Sequence, residues 1–328
     1  MVRIAQIGAG RIGVSHAALV AAHPRAVLSA VIDADAAAAS LLAARHGAKV
    51  RDWRSVLADP EIDAVLIASS TDTHAMFIEE AARAGKAILA EKPIDLSLDR
   101  IDRCLAVVAE TGARLMVGFN RRFDPDIMAL KARLDEGAIG RPVQLLIINR
   151  DAEAPPAAFL RRSGGIFRDM AIHDYDLARH LLGEEPVAVR AGGSALVDEG
   201  AASCGDFDTA HTVLTMPSGA EAVILNARCA RFGFDYRVEI LGSKGALRIA
   251  SAPRGNLQEA TAAGIILGKP AQNFFERFEM AFVRQFDAFV NAVAEGRPMP
   301  ASGADGRAAS AIAEAAARSA RKDMAEHE

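Results

Sequence analysis

The order of strand-like and helical segments predicts an α/β fold: a doubly wound parallel sheet at the N-terminus, followed by a second α/β domain with antiparallel hairpins. Three observations carry this. A short strand runs straight into Gly8-Ala9-Gly10-Arg11-Ile12-Gly13 and then a helix; strands and helices alternate as far as Val117; and after Gly118 that rhythm gives way to strands separated by tight-turn residues. At 328 residues the chain exceeds what one core usually serves. We therefore divide it into residues 1–118 and 119–328.

Val2 to Ile7 supplies the first strand, and Val14 to Ala22 the helix that follows the glycines. In such a motif the first glycine allows a tight turn, the second lets backbone approach a pyrophosphate, and the third lets helix pack on strand. Gly8, Gly10 and Gly13 take those places, with Arg11 and Ile12 between them as further cofactor-binding candidates. A second strand, Ala26 to Ile32, ends in Asp33, where a carboxylate can accept hydrogen bonds from the adenosine ribose hydroxyls. Asp35 follows, with no Arg or Lys beside it. Two carboxylates there would repel a 2′-phosphate, so the pattern favours NAD over NADP.

The alternation continues through Asp63 to Ser69 (strand), Thr73 to Ala84 (helix), Ala87 to Ala90 (strand), Ser97 to Glu110 (helix) and Arg114 to Val117 (strand). Ser69, Thr71 and His74 lie where a strand meets its helix, at the carboxyl edge where ligands bind in such sheets. Asp72 or Thr73 could equally be a helix cap. Glu91-Lys92-Pro93 follows the next strand at the same edge, and Pro93 restricts Lys92 to extended geometry. Taken alone, a lysine at a strand end is usually a solvated one.

In the second half, Asp124 to Glu136 reads as an amphipathic helix and Val143 to Asn149 as a strand. A linker with Pro155-Pro156 leads to a helix from Gly165 to Leu182, and strands follow at Val187 to Ala195, Thr209 to Met216, Ala222 to Arg228, Tyr236 to Leu241 and Ala246 to Ala250. Pro217-Ser218-Gly219 and Gly242-Ser243-Lys244-Gly245 are turn signals between them. The phenylalanines of a long helix, Phe274 to Ala294, form a packing stripe, and an Ala-rich helix at about 304–321 could return to the nucleotide-binding domain. The tail from Lys322 to Glu328 reads as dispensable. Within the Gly165 to Leu182 helix, Asp169 and His173 are four apart and share a face. They could be a metal site, with Asp176 or His180, or an acid/base pair, or a buried structural pair.

The totals narrow the field. The 38 basic and 42 acidic residues are interspersed and give a net charge of -4, so nothing supplies the basic stripe that nucleic acid requires. Cys104, Cys204 and Cys229 have no paired spacing, which argues against a disulfide framework or a zinc site. The first residues have no signal-peptide pattern and no apolar run reaches the ~20 residues of a membrane span. A cytoplasmic protein without a membrane or nucleic-acid partner is expected.

Taken together, the GxGxxG, the Glu-Lys-Pro of the fifth βα unit and the later Gly-Gly-x-x-x-Asp-x-x-x-His make the chain similar over essentially its whole length to the Gfo/Idh/MocA family of NAD(P)-dependent oxidoreductases. Gly118 to Asp124, Asp169 to Asp176 and Glu239 to Gly245 resemble its inositol 2-dehydrogenase branch in particular. The resemblance implies a Rossmann domain and a second domain with a large open, mostly antiparallel sheet, often used to build tetramers. It also implies a catalytic trio on Lys92, Asp169 and His173, cofactor contact by Glu91 and Lys92, and substrate contacts by Lys92, Arg122, Asp151, Asp169 and His173. One departure stands out: where similar enzymes read Tyr-Gly-Tyr-Asp, this chain has Phe232-Gly233-Phe234-Asp235, so a substrate-facing hydroxyl is absent.

Oxidation of a carbinol needs a base for the hydroxyl proton and a cation for the developing alkoxide. His173 suits the first role, Lys92 the second, and Asp169 would fix the imidazole or bind a neighbouring hydroxyl. No resident metal is needed, since a nearby lysine opposes a dication. The expected substrate is a cyclic polyol, foremost myo-inositol, with scyllo-inositol or an aldose such as glucose as alternatives. A different class, a catalytically silent NAD- or sugar-sensing protein, is opposed by the intact trio.

Overall fold

The computed structural model describes residues 1–251, 253, 255, 257–262 and 264–325. It divides into two compact units: Met1–Asn120 with Phe282–Ser310, and Arg121–Ala281 with Ala311–Glu328. The division is not contiguous, whereas the sequence pattern alone suggests one domain over 119–328.

The first unit is a parallel sheet. Its elements run β1 (Val2–Ile7), α1 (Arg11–Ala22), β2 (Ala26–Ile32), α2 (Ala36–His46), β3 (Lys49–Val50), α3 (Trp53–Ala58), β4 (Ala64–Ile67), α4 (Thr71–Arg83), β5 (Ala87–Ala90), α5 (Leu98–Thr111) and β6 (Leu115–Val117). The strand order is β3-β2-β1-β4-β5-β6 and every pairing is parallel. The strands read as continuous apolar runs because helices cover both faces; β4 and β5 are buried at every residue. The direction of winding reverses between β1 and β4, so the ligand crevice of such a sheet lies at their carboxyl ends.

The second unit follows a 3₁₀ turn at Asn120–Phe123. It comprises α6 (Pro125–Asp135), β7 (Pro142–Arg150), α7 (Ala157–Ser163), α8 (Ile166–Asp169), α9 (Ile172–Leu182), β8 (Ala188–Ser194), α10 (Glu199–Ser203), β9 (Thr209–Thr215), β10 (Glu221–Ala227), β11 (Asp235–Gly242) and β12 (Gly245–Ile249). Next come the hairpin β13 (Gln258–Thr261) and β14 (Gly264–Leu267), then α11 (Phe274–Arg277), α12 (Glu279–Glu295) and α13 (Gly303–Ala325), of which Phe282–Ser310 belongs to the first unit. The large sheet has the order β12-β11-β7-β10-β9-β8; β7 pairs parallel with β10 and its other pairings are antiparallel. Alternation buries one face of the central strands, as with Leu145, Ile147 and Asn149 of β7 or Ala222, Ile224 and Asn226 of β10.

Two helices expected whole are broken. The Gly165 to Leu182 segment is α8 and α9 with Met170 and Ala171 between them, because Asp169 at the end of α8 and Asp174 in the first turn of α9 are drawn to different buried partners. The Phe274 to Ala294 segment breaks at Phe278, whose ring is held edge-on by Phe234 and Tyr236. Of the phenylalanine stripe expected at 275, 278, 282, 286 and 289, Phe278, Phe282, Phe286 and Phe289 are buried packing residues and Phe275 is half-buried. The proline linker carries a helix, α7, that the prolines concealed: Pro156 stands at its N-cap, where a missing N–H costs nothing. Helix α13 runs beyond Arg321 to Ala325, so only the last three residues of the expected tail lie outside the described residues.

Candidate active site

At the winding reversal the glycine loop is built from below. Gln6, wholly buried in β1, donates from Nε2 to the carbonyls of Gly8 and Gly13, each at 2.8 Å. Gly8 has φ +106, and a Cβ there would lie 2.2 Å from the Ala68 carbonyl oxygen; a Cβ on Gly13 would lie 2.1 Å from that of Gly8. Neither position admits another residue. Gly10 differs, since a Cβ on it would meet nothing within 4 Å. Its open side faces no protein, as backbone approach to a pyrophosphate requires.

The helix termini agree. Helices α2, α3 and α5 are capped by the side chains of Asp35, Asp52 and Ser97. Helices α1 and α4, which leave the two strands flanking the reversal, have no side-chain cap. Their first N–H groups and positive dipole ends are left for an anionic ligand. These residues fit a dinucleotide. Asp33 sits at the end of β2 and its Oδ2 accepts the Ala9 N–H at 2.6 Å, so the carboxylate also braces the glycine loop. Asp35 caps α2 by accepting from the N–H groups of Ala37 and Ala38.

Ser69 and Thr71 stand at the β4–α4 junction, with the Ser69 hydroxyl 2.7 Å from that of Thr73. His74 is 2% exposed; Nδ1 lies 2.8 Å from the Pro93 carbonyl and Nε2 3.1 Å from that of Ser69. It therefore ties the β4 and β5 loops together from inside rather than forming an open wall. Glu91 and Lys92 follow β5, and the Lys92-Pro93 bond is cis. The Glu91 Oε1 is 2.7 Å from Nε2 of the buried His16. Burial pushes the Glu91 carboxyl up, but the His16 hydrogen bond and the charges of His16, Lys92 and His74 outweigh it and hold it below the usual carboxylate value.

In the second unit Asp169 closes α8 and His173 lies in the first turn of α9, so the shared-helix argument for their proximity lapses. Their supports were hidden in the sequence. Arg228, wholly buried just past β10, donates from Nη1 to Asp169 at 3.1 Å and from Nη2 to Asp206 at 3.4 Å. Asp206 in turn accepts the Ile166 N–H at the start of α8. Beside His173, the wholly buried Asp174 pairs with Arg121 and accepts from Asn149 at 2.9 Å and Asn226 at 2.8 Å. The Arg121 guanidinium lies over the Tyr236 ring at 4.7 Å and near that of Phe278 at 5.2 Å. Tyr175 adds a hydroxyl contact to Thr212 of β9 at 2.9 Å.

Arg122 is held by Asp176, with Nε to Oδ2 at 2.7 Å and Nη2 to Oδ1 at 2.5 Å. Asp151 follows β7, and its backbone bonds to Ala227 and Ala230. Phe234 is 2% exposed against Phe278, whereas Phe232 is 59% exposed. The supports could have been found as polar residues on the buried phase of an apolar pattern: Asn149 in β7, Asn226 and Arg228 along β10, and His16 on the face of α1 that carries Gly13, Ala17 and Val20. Among the described residues no group of three or more His, Cys, Asp or Glu is arranged to hold a metal ion.

Comparison with known proteins agrees with this geometry. Residues 2–119 match the oxidoreductase-family domain with an NAD-binding Rossmann fold, and residues 127–248 match the GFO/IDH/MocA C-terminal domain. The chain is 46% identical over 318 residues to an inositol 2-dehydrogenase of Rhizobium meliloti strain 1021, covering 97% of this chain and 96% of that protein. It superposes on a myo-inositol dehydrogenase of Corynebacterium glutamicum ATCC 13032 with TM-score 0.94 at 34% identity, covering 98% of this chain and 97% of the other. It also superposes on the scyllo-inositol dehydrogenase of Lactobacillus casei with bound NAD(H) and scyllo-inositol, with TM-score 0.90 at 30% identity and 98% of both chains covered. The chain belongs to the Gfo/Idh/MocA family of NAD-binding oxidoreductases.

Proposed function

We propose that this chain is an NAD-dependent dehydrogenase that oxidises a ring hydroxyl of a cyclic polyol, myo-inositol to 2-keto-myo-inositol. The observation that carries the reading is the joint presence, on one edge of the parallel sheet, of a loop open at Gly10 and a Glu-Lys-Pro segment. Relatives called inositol 2-dehydrogenase and myo-inositol 2-dehydrogenase, at 46% and 38% identity, support the substrate class. NAD, when bound, supplies the acceptor for the hydride that leaves the carbinol carbon. Gly8, Gly10, Arg11, Ile12, Gly13, Asp33, Ser69, Thr71, Glu91 and Lys92 form its site, with His74 behind it as a tie between the β4 and β5 loops.

Each remaining step falls to a side chain. His173 takes the hydroxyl proton, Lys92 stabilises the developing alkoxide, and Asp169 fixes the imidazole or holds an adjacent hydroxyl. Arg122 and Asp151 contact further hydroxyls. Tethering Asp169 through Arg228 lets the carboxylate keep one orientation during turnover. The reaction balances as carbinol plus NAD⁺ giving ketone, NADH and a proton.

The protein is cytoplasmic, acts in inositol catabolism and assembles as a homotetramer. Half-buried Leu146, Ile148, Val213, Val223 and Leu225 on the outer face of the large sheet support assembly. Light scattering should give four times the 34.6 kDa chain mass, and a monomer would refute that part. A second reading, scyllo-inositol as preferred substrate, is favoured by the relative called scyllo-inositol 2-dehydrogenase (NAD(+)) at 38% identity. Rates of NADH appearance across myo-inositol, scyllo-inositol and glucose decide between them. Silence on all three, with NAD still bound, would point to a sensor instead.

A further inference from the structure

The helix that carries the glycine loop reaches the Glu-Lys-Pro segment through one buried pair. His16 lies one turn beyond Gly13 on the buried face of α1 and is 2% exposed. Its Nε2 is 2.7 Å from Glu91 Oε1, while Glu91 Oε2 accepts the backbone N–H of Lys92 at 3.4 Å. Gly118 makes room for this carboxylate, since a Cβ there would lie 3.0 Å from Oε2. A carboxylate only accepts, so Nε2 carries the donated proton. The His16 ring is further set by Phe282, edge-on at a centroid distance of 6.0 Å.

We propose that His16 and Glu91 are positioning residues for Lys92, a pair that locks the lysine's backbone to the cofactor-binding helix without itself touching the reacting atoms. The inference rests on the assignment of Lys92 to catalysis made above. Without the His16 donor, Glu91 would be a nearly buried carboxylate short of its main partner, and it would turn toward water or take a proton. Either change releases the Lys92 N–H. Small displacements of a catalytic group are costly to turnover while leaving ligand binding largely alone.

The test uses the full chain with NAD and myo-inositol, reading kcat per NADH-binding site and the NADH dissociation constant by fluorescence. His16→Leu should lower kcat per site roughly 10- to 100-fold with NADH binding changed less than about threefold. His16→Gln, which returns an Nε2 donor, should recover to within about threefold of the parent. A kcat per site for His16→Leu close to the parent's, or equal losses in His16→Leu and His16→Gln, would overturn the proposal. If His16→Leu does not fold, Glu91→Gln carries the test: about a tenfold loss supports the pair and a normal kcat refutes it. Lys92→Ala is the control that separates the two readings: near-normal turnover in it would sink the catalytic assignment itself, whereas an inactive Lys92→Ala beside a normal His16→Leu would sink only the positioning pair.

Discussion

Lys92 and the Asp169 to His173 segment are held by different kinds of structure. Lys92 stands at the carboxyl end of a central parallel strand, and β5 is fixed there by main-chain bonds to β4 and β6. The His16–Glu91 pair and the ring of His74 are added. Asp169 and His173 sit instead on two short helices that side chains must anchor: Arg228 for the first, and Asp174 with Arg121, Asn149 and Asn226 for the turn carrying the second. The backbone of a parallel sheet sets positions whatever the side chains are. A turn anchored by buried charges is set by each partner separately. Damage in the first unit should therefore appear mainly in rate, and damage in the second also in stability.

The largest expected effect is on chemistry. His173→Ala should cut turnover by about 10² to 10⁴, the usual range for a general base, while NADH binding persists. Turnover near the parent's would remove His173 from the proposed proton-accepting role. Next comes Asp174→Ala, which leaves Arg121 buried without its carboxylate and should cost about 3–5 kcal/mol in urea unfolding. A loss under about 1 kcal/mol would mean that Arg121's other neighbours, the rings of Tyr236 and Phe278 and the Asp151 charge among them, suffice to hold that cation.

The two sides also differed in how far the sequence could be read. The parallel sheet was legible because its glycine spacing and apolar strand runs are local patterns, although α2, β3 and α3 between Asp33 and Asp63 carried no motif to announce them. Asp169 and His173 were legible as chemistry but not as geometry. Their helix breaks because Asp169 and Asp174 answer to Arg228 and to Arg121, which are distant in sequence. Arg228 and Asn226 continue the buried phase of β10, and in a sequence such polar residues look like lapses in an apolar alternation rather than anchors. The β13–β14 hairpin has no sequence signature for a simpler reason: Gln258 to Thr261 is exposed throughout and shows no alternation at all.

Phe234 and Phe232 differ within the second unit, the first buried and the second exposed. Phe234→Tyr places a hydroxyl in a buried ring cluster and should cost about 1–3 kcal/mol where no partner meets it. Phe232→Tyr, at an exposed position, should change stability by less than about 0.5 kcal/mol, so any change it makes in substrate preference can be read directly.

The smallest effect is one of pH. A carboxylate whose folded pKa lies below its unfolded value adds stability that is complete above the unfolded value and lost as pH falls through the folded one. Glu91 is held below its usual 4.5, against burial, by His16 and neighbouring charges. Glu91→Gln should therefore flatten the acid side of the stability profile below that value and leave its neutral region parallel to the parent's. An unchanged acid limb would mean that the Glu91 carboxylate contributes nothing to it.

The proposed reaction transfers hydride from a ring carbon to NAD, and isotope labelling follows that hydride. With myo-inositol deuterated at the carbinol carbon that becomes the ketone, the NADH formed should carry the label and the rate should fall. NADH without the label, or none formed while NAD and inositol are both bound, would contradict it.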